Sequence, residues 1–264
     1  MGTTNKRKFA VVTGASSGIG FELARQCVAH DCDVLICSDS EAISLAAEKL
    51  GGPNVAVAVR ADLAKREGIQ TLYREILDMR RAADFLLLNA GVGVGGPFLE
   101  TDIEKEFEMI ALNCNHTVHL AKLVIPDMVA RGSGRVLITG SVVSTAPNPF
   151  SAVYGATKAF VMSFGEALRY ELKDTGVTVT VLQPNATDTK FFERAHLEHT
   201  KEGQAEKDDP ALVAEQGFAA MMDGKDSVLA GSISSRIEGF ANELLPETTK
   251  AKLAGEASKP LRRT

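Results

Sequence analysis

Short apolar runs alternate along this chain with longer stretches whose apolar positions recur at helical spacing. The runs at 8–14 (KFAVVTG), 33–38 (DVLICS), 55–59 (VAVAV), 84–91 (DFLLLNAG), 134–141 (GRVLITGS) and 177–184 (VTVTVLQP) predict strands. The stretches at 18–30, 41–50, 66–79, about 102–130, 152–173 and 210–222 predict helices, and 227–231 (SVLAG) is a further strand-like run. The strands are apolar on both faces, so both faces must be covered. Strands alternating with helices then imply a parallel sheet with a helical layer on each side. Right-handed crossovers make this α/β chain a doubly wound parallel sheet.

Two segments break the pattern. Residues from about 188 to 209 are charged and irregular but carry Phe191, Phe192 and Leu197, the composition of a substrate lid with an apolar inner face. A charged stretch from about 246 reads as a C-terminal tail. No internal repeat or linker divides the 264 residues, so a single domain is expected over 1–264.

Composition narrows the function. A formal net charge of -5 argues against nucleic acid or an anionic membrane as partner, and the basic clusters KRK and LRRT are short and terminal. No apolar run reaches the length of a membrane span, no secretory leader precedes the first strand, and a cytoplasmic location is expected. Cys27, Cys32, Cys37 and Cys114 have no metal-ligand spacing and read as buried thiols. His116/His119 and His196/His199 lack further ligands, so no metal is expected.

Chemistry begins at TGASSGIG, residues 13–20, which follows the first strand and opens the first helix. Gly14, Gly18 and Gly20 let the backbone turn tightly and approach a ligand. The amides around Ser16, Ser17 and Ile19, with the positive end of the helix dipole, suit a pyrophosphate. Within a first βαβ unit this is the setting of a Rossmann-type dinucleotide site.

A second constellation is YGATK. Tyr154 and Lys158 stand four residues apart, one helical turn, and share a face. A free phenol ionises at about pH 10, too high for proton transfer near neutrality. A neighbouring ammonium favours phenolate. Lysine suits the role better than arginine because it can itself relay a proton. Ser141 ends the fifth strand, 13 residues before Tyr154, at the ligand edge of a parallel sheet. Its hydroxyl can bond a substrate oxygen as charge develops there.

Together TGASSGIG, NAG at 89–91, Ser141, YGATK and Pro184 after the sixth strand resemble the short-chain dehydrogenase/reductase family over most of the chain, at least 9–229. The resemblance implies an oxidoreductase that interconverts a ketone and a secondary alcohol by hydride transfer. Tyr154 would be the general acid/base, Lys158 would tune it, Ser141 would position the oxygen, and Asn113 would orient a water leading to the lysine, with Asn115 as the other candidate. It also implies that Asn89, Ala90, Gly91, Asp62, Leu63, Pro184 and either Thr187 or Thr189 serve the cofactor, together with Tyr154 and Lys158. Relatives often carry glycine where this chain has His116, and Asn185 stands where a glycine usually follows the proline.

Asp39, at the end of the second strand, can accept hydrogen bonds from a ribose diol and would repel a 2′-phosphate. No Arg or Lys occupies that strand end or the glycine loop, so NAD(H) is expected, with NADP as the alternative; Asp39 could instead cap the next helix. Val142, Val143, Pro147 and Phe150 could form a wall opposite the lid, pointing to an apolar or aromatic ketone, or they could simply pack the lid. The resemblance also implies a homodimer or homotetramer associating through the long helices. A dehydratase or epimerase and a non-catalytic dinucleotide-sensing regulator are the rival functions.

Overall fold

The apolar runs form seven strands: β1 (Lys8–Thr13), β2 (Cys32–Ser38), β3 (Ala56–Arg60), β4 (Phe85–Leu88), β5 (Gly134–Thr139), β6 (Val177–Pro184) and β7 (Ser227–Ala230). They build one sheet in the order β3-β2-β1-β4-β5-β6-β7, every pairing parallel. This computed structural model describes residues 7–232 and 246–259. The opening MGTTNK and the closing LRRT lie outside the described residues.

Alternate residues of each strand feed two cores, as the period-2 geometry of a strand requires. Phe9, Val11, Leu35, Leu86, Leu88, Val136 and Ile138 pack under α3 (Arg66–Asp78), α5 (His116–Arg131) and α6 (Ala152–Leu172). Ala10, Val12, Ile36, Phe85, Leu87 and Leu137 face α1 (Gly18–Ala29), α2 (Ala42–Lys49) and α9 (Pro210–Met222). Chain order reverses direction between β1 and β4. The crevice at the carboxyl ends of those strands is where such sheets bind ligands.

The long helix expected over about 102–130 is interrupted. It begins as α4 (Ile103–Ile110), where the Asp102 carboxylate accepts from the Glu104 amide at 3.0 Å. It widens into a π turn over Ala111–Asn115 and continues as α5. Asn113 lies within that wide turn, and π turns inside α-helices gather at functional sites. Gly132, at φ +69, then stops α5, and the Ser133 amide bonds back to the Met128 carbonyl at 3.1 Å.

The irregular segment holds two single-turn helices, α7 (Phe191–Arg194) and α8 (Lys201–Gln204). Its two ends are tied to each other. Asp188 N donates to Asp208 O and Asp208 N to Ala186 O, both at 2.8 Å. The stretch read as a tail contains a helix, α10 (Glu247–Ser258). Lys250 on α10 donates to the Thr145 carbonyl at 3.3 Å, anchoring the helix beside the loop after β5.

Candidate active site

A cleft of about 430 Å³ opens along the carboxyl ends of the strands. Of the residues expected to hold a dinucleotide, Gly14, Ser16, Ser17, Gly18, Ile19, Gly20, Asp39, Asp62, Leu63, Asn89, Ala90, Gly91, Pro184, Thr187 and Thr189 all line it. Ser141, Tyr154 and Lys158 line it as well, whereas Asn113 lies behind the wall.

The glycine loop needs its glycines. Gly14 and Gly18 have φ of +69 and +59, left-handed conformations that L side chains rarely adopt. A Cβ on Gly20 would collide with the Gly14 carbonyl and would come within 2.5 Å of the Asn89 amide. Ser17 precedes α1 without a side-chain cap, so the first amides of the helix are left to an incoming anion. This cradle fits a pyrophosphate. Asn89 braces it: its Nδ2 donates to Thr13 O at 3.1 Å and its Oδ1 accepts from the Thr139 hydroxyl at 3.1 Å.

At the far end Asp39 is exposed, and its Oδ1 accepts from the Ser38 hydroxyl at 3.2 Å. The alternative reading of Asp39 as a helix cap does not hold. Ser40 Oγ accepts from Ala42 N at 3.2 Å, so the serine covers the start of α2. Asp62 binds its own turn, accepting from Ala64 N at 3.0 Å, and pairs with Lys65 at 3.0 Å. The sheet also brings in a group that the linear reading of β2 missed. Arg60 is the register partner of Ser38, donates from Nε to Asp39 O at 3.1 Å and from its guanidinium to Glu41 at 2.8 Å.

At the chemical end, Lys158 is buried, and its ammonium donates to the Thr139 carbonyl at 2.9 Å. Burial pushes that ammonium down to about 8, opposed by the nearby Cys114 thiol. Its Nζ stands 5.8 Å from the centroid of the Tyr154 ring. Ser141 heads a short 3-10 turn, Val142–Thr145; its Oγ accepts from Val143 N at 3.4 Å, which leaves its O–H to donate elsewhere.

Asn113 is held by the protein. Its Oδ1 accepts from Val92 N at 3.0 Å, and its Nδ2 donates to Val92 O at 3.0 Å and to Thr157 Oγ1 at 2.9 Å. A Cβ on Gly91 would sit 3.1 Å from Asn113 Oδ1 and 3.5 Å from Lys158 Nζ, so the loop after β4 lies close against both. His116, one residue past the π turn, is fully buried with Nδ1 on the Leu112 carbonyl at 2.9 Å. Burial and the charge of Lys158 hold its imidazole down at about 4.

The lid lies over the cleft. Phe191 packs its ring on Tyr154, centroids 5.1 Å apart, and Phe192 and Leu197 join it in the lining. Thr187 is buried beneath the lid with its hydroxyl on Asn185 O at 2.7 Å, while a Cβ on Gly18 would lie 2.9 Å from Thr189 Cγ2. The lid rests on Gly93 and Gly95. A Cβ on Gly93 would meet the Phe191 ring at 2.5 Å, and one on Gly95 would strike Leu197. GVGVGG at 91–96 was a visible signal for this close approach, yet it has meaning only once the lid is seen above it.

Opposite, Val142 and Val143 line the cleft, but Pro147 and Phe150 do not. The loop doubles back at Phe150, φ +63, whose carbonyl accepts from Gly96 N at 2.7 Å, and Asn148 and Ser151 take the inward places. That wall is therefore more polar than expected.

A family model described as short chain dehydrogenase matches residues 8–199. An uncharacterized oxidoreductase of Staphylococcus epidermidis is 31% identical over 209 residues, covering 79% of this chain and 90% of that protein. Dehydrogenase/reductase SDR family member 7B of Danio rerio is 27% identical over 266 residues, covering 96% of this chain and 86% of that protein. Among solved structures, a short-chain dehydrogenase from Sphingobium yanoikuyae in complex with NADPH superposes with a TM-score of 0.78 at 25% identity, covering 97% of this chain and 96% of that one. A 3-ketoacyl-(acyl-carrier-protein) reductase from Brucella melitensis complexed with NADH shares the fold, with a TM-score of 0.77 at 23% identity over 86% of this chain and 98% of that one.

Proposed function

We propose, from the premise that this chain belongs to the short-chain dehydrogenase family, that it is an NAD(H)-dependent oxidoreductase interconverting an apolar or aromatic ketone and its secondary alcohol. The observation that carries this reading is the meeting of Ser141, Tyr154 and Lys158 in one cleft with the glycine cradle. The residues of that cradle, with Asp39 at the ribose end and Thr189 above Gly18, would hold the dinucleotide. When bound, the nicotinamide supplies the acceptor or donor of the hydride.

The chain's own groups handle the oxygen and its proton. The Ser141 O–H, freed by the backbone contact its oxygen accepts, donates to the substrate oxygen and stabilises developing negative charge. The Tyr154 hydroxyl gives that oxygen a proton in reduction and takes it back in oxidation. Lys158, fixed by Thr139, places its ammonium under the phenol and favours phenolate. Asn113 locks the loop at Val92 to α6 and keeps the lysine's surroundings in place. Phe191 and Leu197 keep water from the reacting carbon.

Tyr154→Phe is expected to retain dinucleotide binding and to lose roughly a hundredfold or more in turnover. Full activity in that variant, measured by reduced-nicotinamide absorbance, contradicts the mechanism. Turnover also separates this reading from a dinucleotide-sensing regulator, which would bind without reacting.

A second cofactor reading, NADP(H), has one observation in its favour: the Arg60 guanidinium beside Asp39 and Glu41. Asp39 weighs the other way, since its carboxylate suits a free ribose diol. Leu99, Ile103, Phe107 and Phe160 are exposed. Ile103 and Phe107 lie one turn apart on α4, which packs against α6, and the patch supports self-association as a homodimer or homotetramer. Light scattering that finds only monomer at micromolar concentration rules this out. Among the described residues no helix is long and apolar enough to cross a membrane.

A further inference from the structure

The charges lining the cleft are sorted by position. Its carboxylates are Asp39 and Asp62, both at the β2–β3 end. Its cations are Lys158, Lys190 and Arg194, none of them on the β2–β3 side. Lys158 is committed to Thr139. Lys190 and Arg194 are exposed, and among the described residues neither side chain has a hydrogen-bond or ion-pair partner. The two carboxylates of the lining lie on other elements, and among the described residues neither Glu193, beside Arg194 in sequence, nor Asp188 forms an ion pair with Lys190 or Arg194.

Their places on the lid differ. Lys190 follows Thr189, whose methyl leans on the glycine loop. Arg194 lies three residues beyond Phe191, one turn of α7, and so on the same side as the ring that packs on Tyr154. The next residue, Ala195, accepts from Gly95 N at 3.0 Å, which pins this part of the lid to the loop after β4. Arg194 is thereby placed in the cleft lining together with Phe191 and Leu197, on the part of the lid that packs on Tyr154.

We infer that Arg194 forms an anion-accepting subsite for the substrate, so that the preferred ketones carry a carboxylate separated from the carbonyl by an apolar spacer. The inference rests on the oxidoreductase reading above and refines its substrate class. The carbonyl sits at Ser141 and Tyr154, the spacer lies against Phe191 and Leu197, and the carboxylate meets the planar fork of Arg194, which matches it in two-point geometry. The lid is then closed partly by the substrate's own charge.

The test uses the full chain with reduced nicotinamide and matched pairs of ketones, such as benzoylpropionate and its methyl ester. Expected is a higher kcat/KM for the carboxylate of each pair, carried by KM, with the preference shrinking as salt rises. Arg194→Ala should reduce the carboxylate-over-ester ratio about twofold to fivefold, as for an exposed charge pair. Arg194→Lys should restore part of it, and Arg194→Glu should invert it. Equal kcat/KM for both members of every pair, or a ratio indifferent to Arg194→Glu, overturns the subsite while leaving the oxidoreductase reading intact. Absence of turnover with every pair and with neutral ketones overturns both.

Discussion

The ammonium of Lys158 lies 5.8 Å from the centroid of the Tyr154 ring while it donates to the carbonyl of Thr139 at 2.9 Å. The main chain of β5 thus aims a buried cation at the phenol. That arrangement opposes folding, because burial lowers the ammonium from the ordinary lysine value to about 8. Below pH 8 both folded and unfolded chains carry the proton, and the folded state bears the full penalty. Between pH 8 and 10.5 the unfolded chain keeps a proton that the folded chain has lost, so this group's contribution to stability rises with pH. Lys158→Met is expected to stabilise the cofactor-free protein at pH 7 by up to about 3 kcal/mol while abolishing efficient turnover. Thermal melts at pH 7 and pH 10 check it: the gain in Tm should shrink at the higher pH, and a lower Tm at pH 7 refutes it.

His116 acts in the same direction on the acid side. Its Nδ1 is bonded to Leu112 O, its Nε2 is buried without a hydrogen-bond partner among the described residues, and burial holds the ring neutral down to about pH 4. Above the unfolded value of 6.5 the group is neutral in both states. As pH falls from 6.5 toward 4 the unfolded chain alone takes up the proton, and stability is lost. At pH 5 the loss is about 2 kcal/mol. Urea unfolding of the native chain and of His116→Leu at pH 7.5 and pH 5 should show the variant losing less stability on acidification by about that amount. Parallel losses in both proteins contradict it.

Gly95 and Leu197 make the lid sensitive to one methyl group. Gly95→Ala drives a Cβ into Leu197 and should lift the lid from its seat. The expected result is a rise in KM with a fall in kcat, together about tenfold to a hundredfold in kcat/KM, because reacting groups are displaced by a fraction of an ångström or more. Tryptic cleavage after Lys190 and Arg194 should quicken in parallel. Unchanged kinetics with unchanged cleavage would show that the contact is slack.

At the ribose end, Asp39→Asn should lower kcat/KM for NADH about tenfold and raise it for NADPH, since it removes the carboxylate that repels a 2′-phosphate and leaves Arg60 nearby. Glu41→Gln, which frees the Arg60 guanidinium, should add to the shift. If the ratio of the two cofactors does not move in the double variant, neither side chain reads the ribose.

Most of the sheet was legible because its strands are apolar on both faces and bounded by helices of clear periodicity. The candidate site was legible for a related reason: in a parallel sheet every strand's carboxyl end reaches the same edge, so Gly14, Asp39, Asn89, Ser141 and Pro184 converge whatever lies between them. What periodicity could not carry was contact across the chain. Arg60 meets Asp39 only through the β2–β3 register. The π turn around Asn113 leaves the apolar spacing of 103–131 close to that of a plain helix. Helix α10 is charged around its circumference and carries little periodic signal, although Lys250 on it is buried. Pro147 and Phe150 were misplaced because the turn at Phe150 requires a left-handed backbone that its residue type does not announce.

The lid is fastened to itself at its base, Thr187 bridging to Asp208 in parallel while Ser232 N donates to the Asp208 carboxylate at 2.8 Å. Such a closed stem behaves like a socket. Exposed residues between the two fastened ends can be exchanged with little strain reaching β6 or α9, provided that Phe191, Ala195 and Leu197 keep their seats on Tyr154 and Gly95. Evolution or a protein engineer can therefore vary the outward positions of that one cassette while the residues that touch Tyr154 and Gly95 stay fixed.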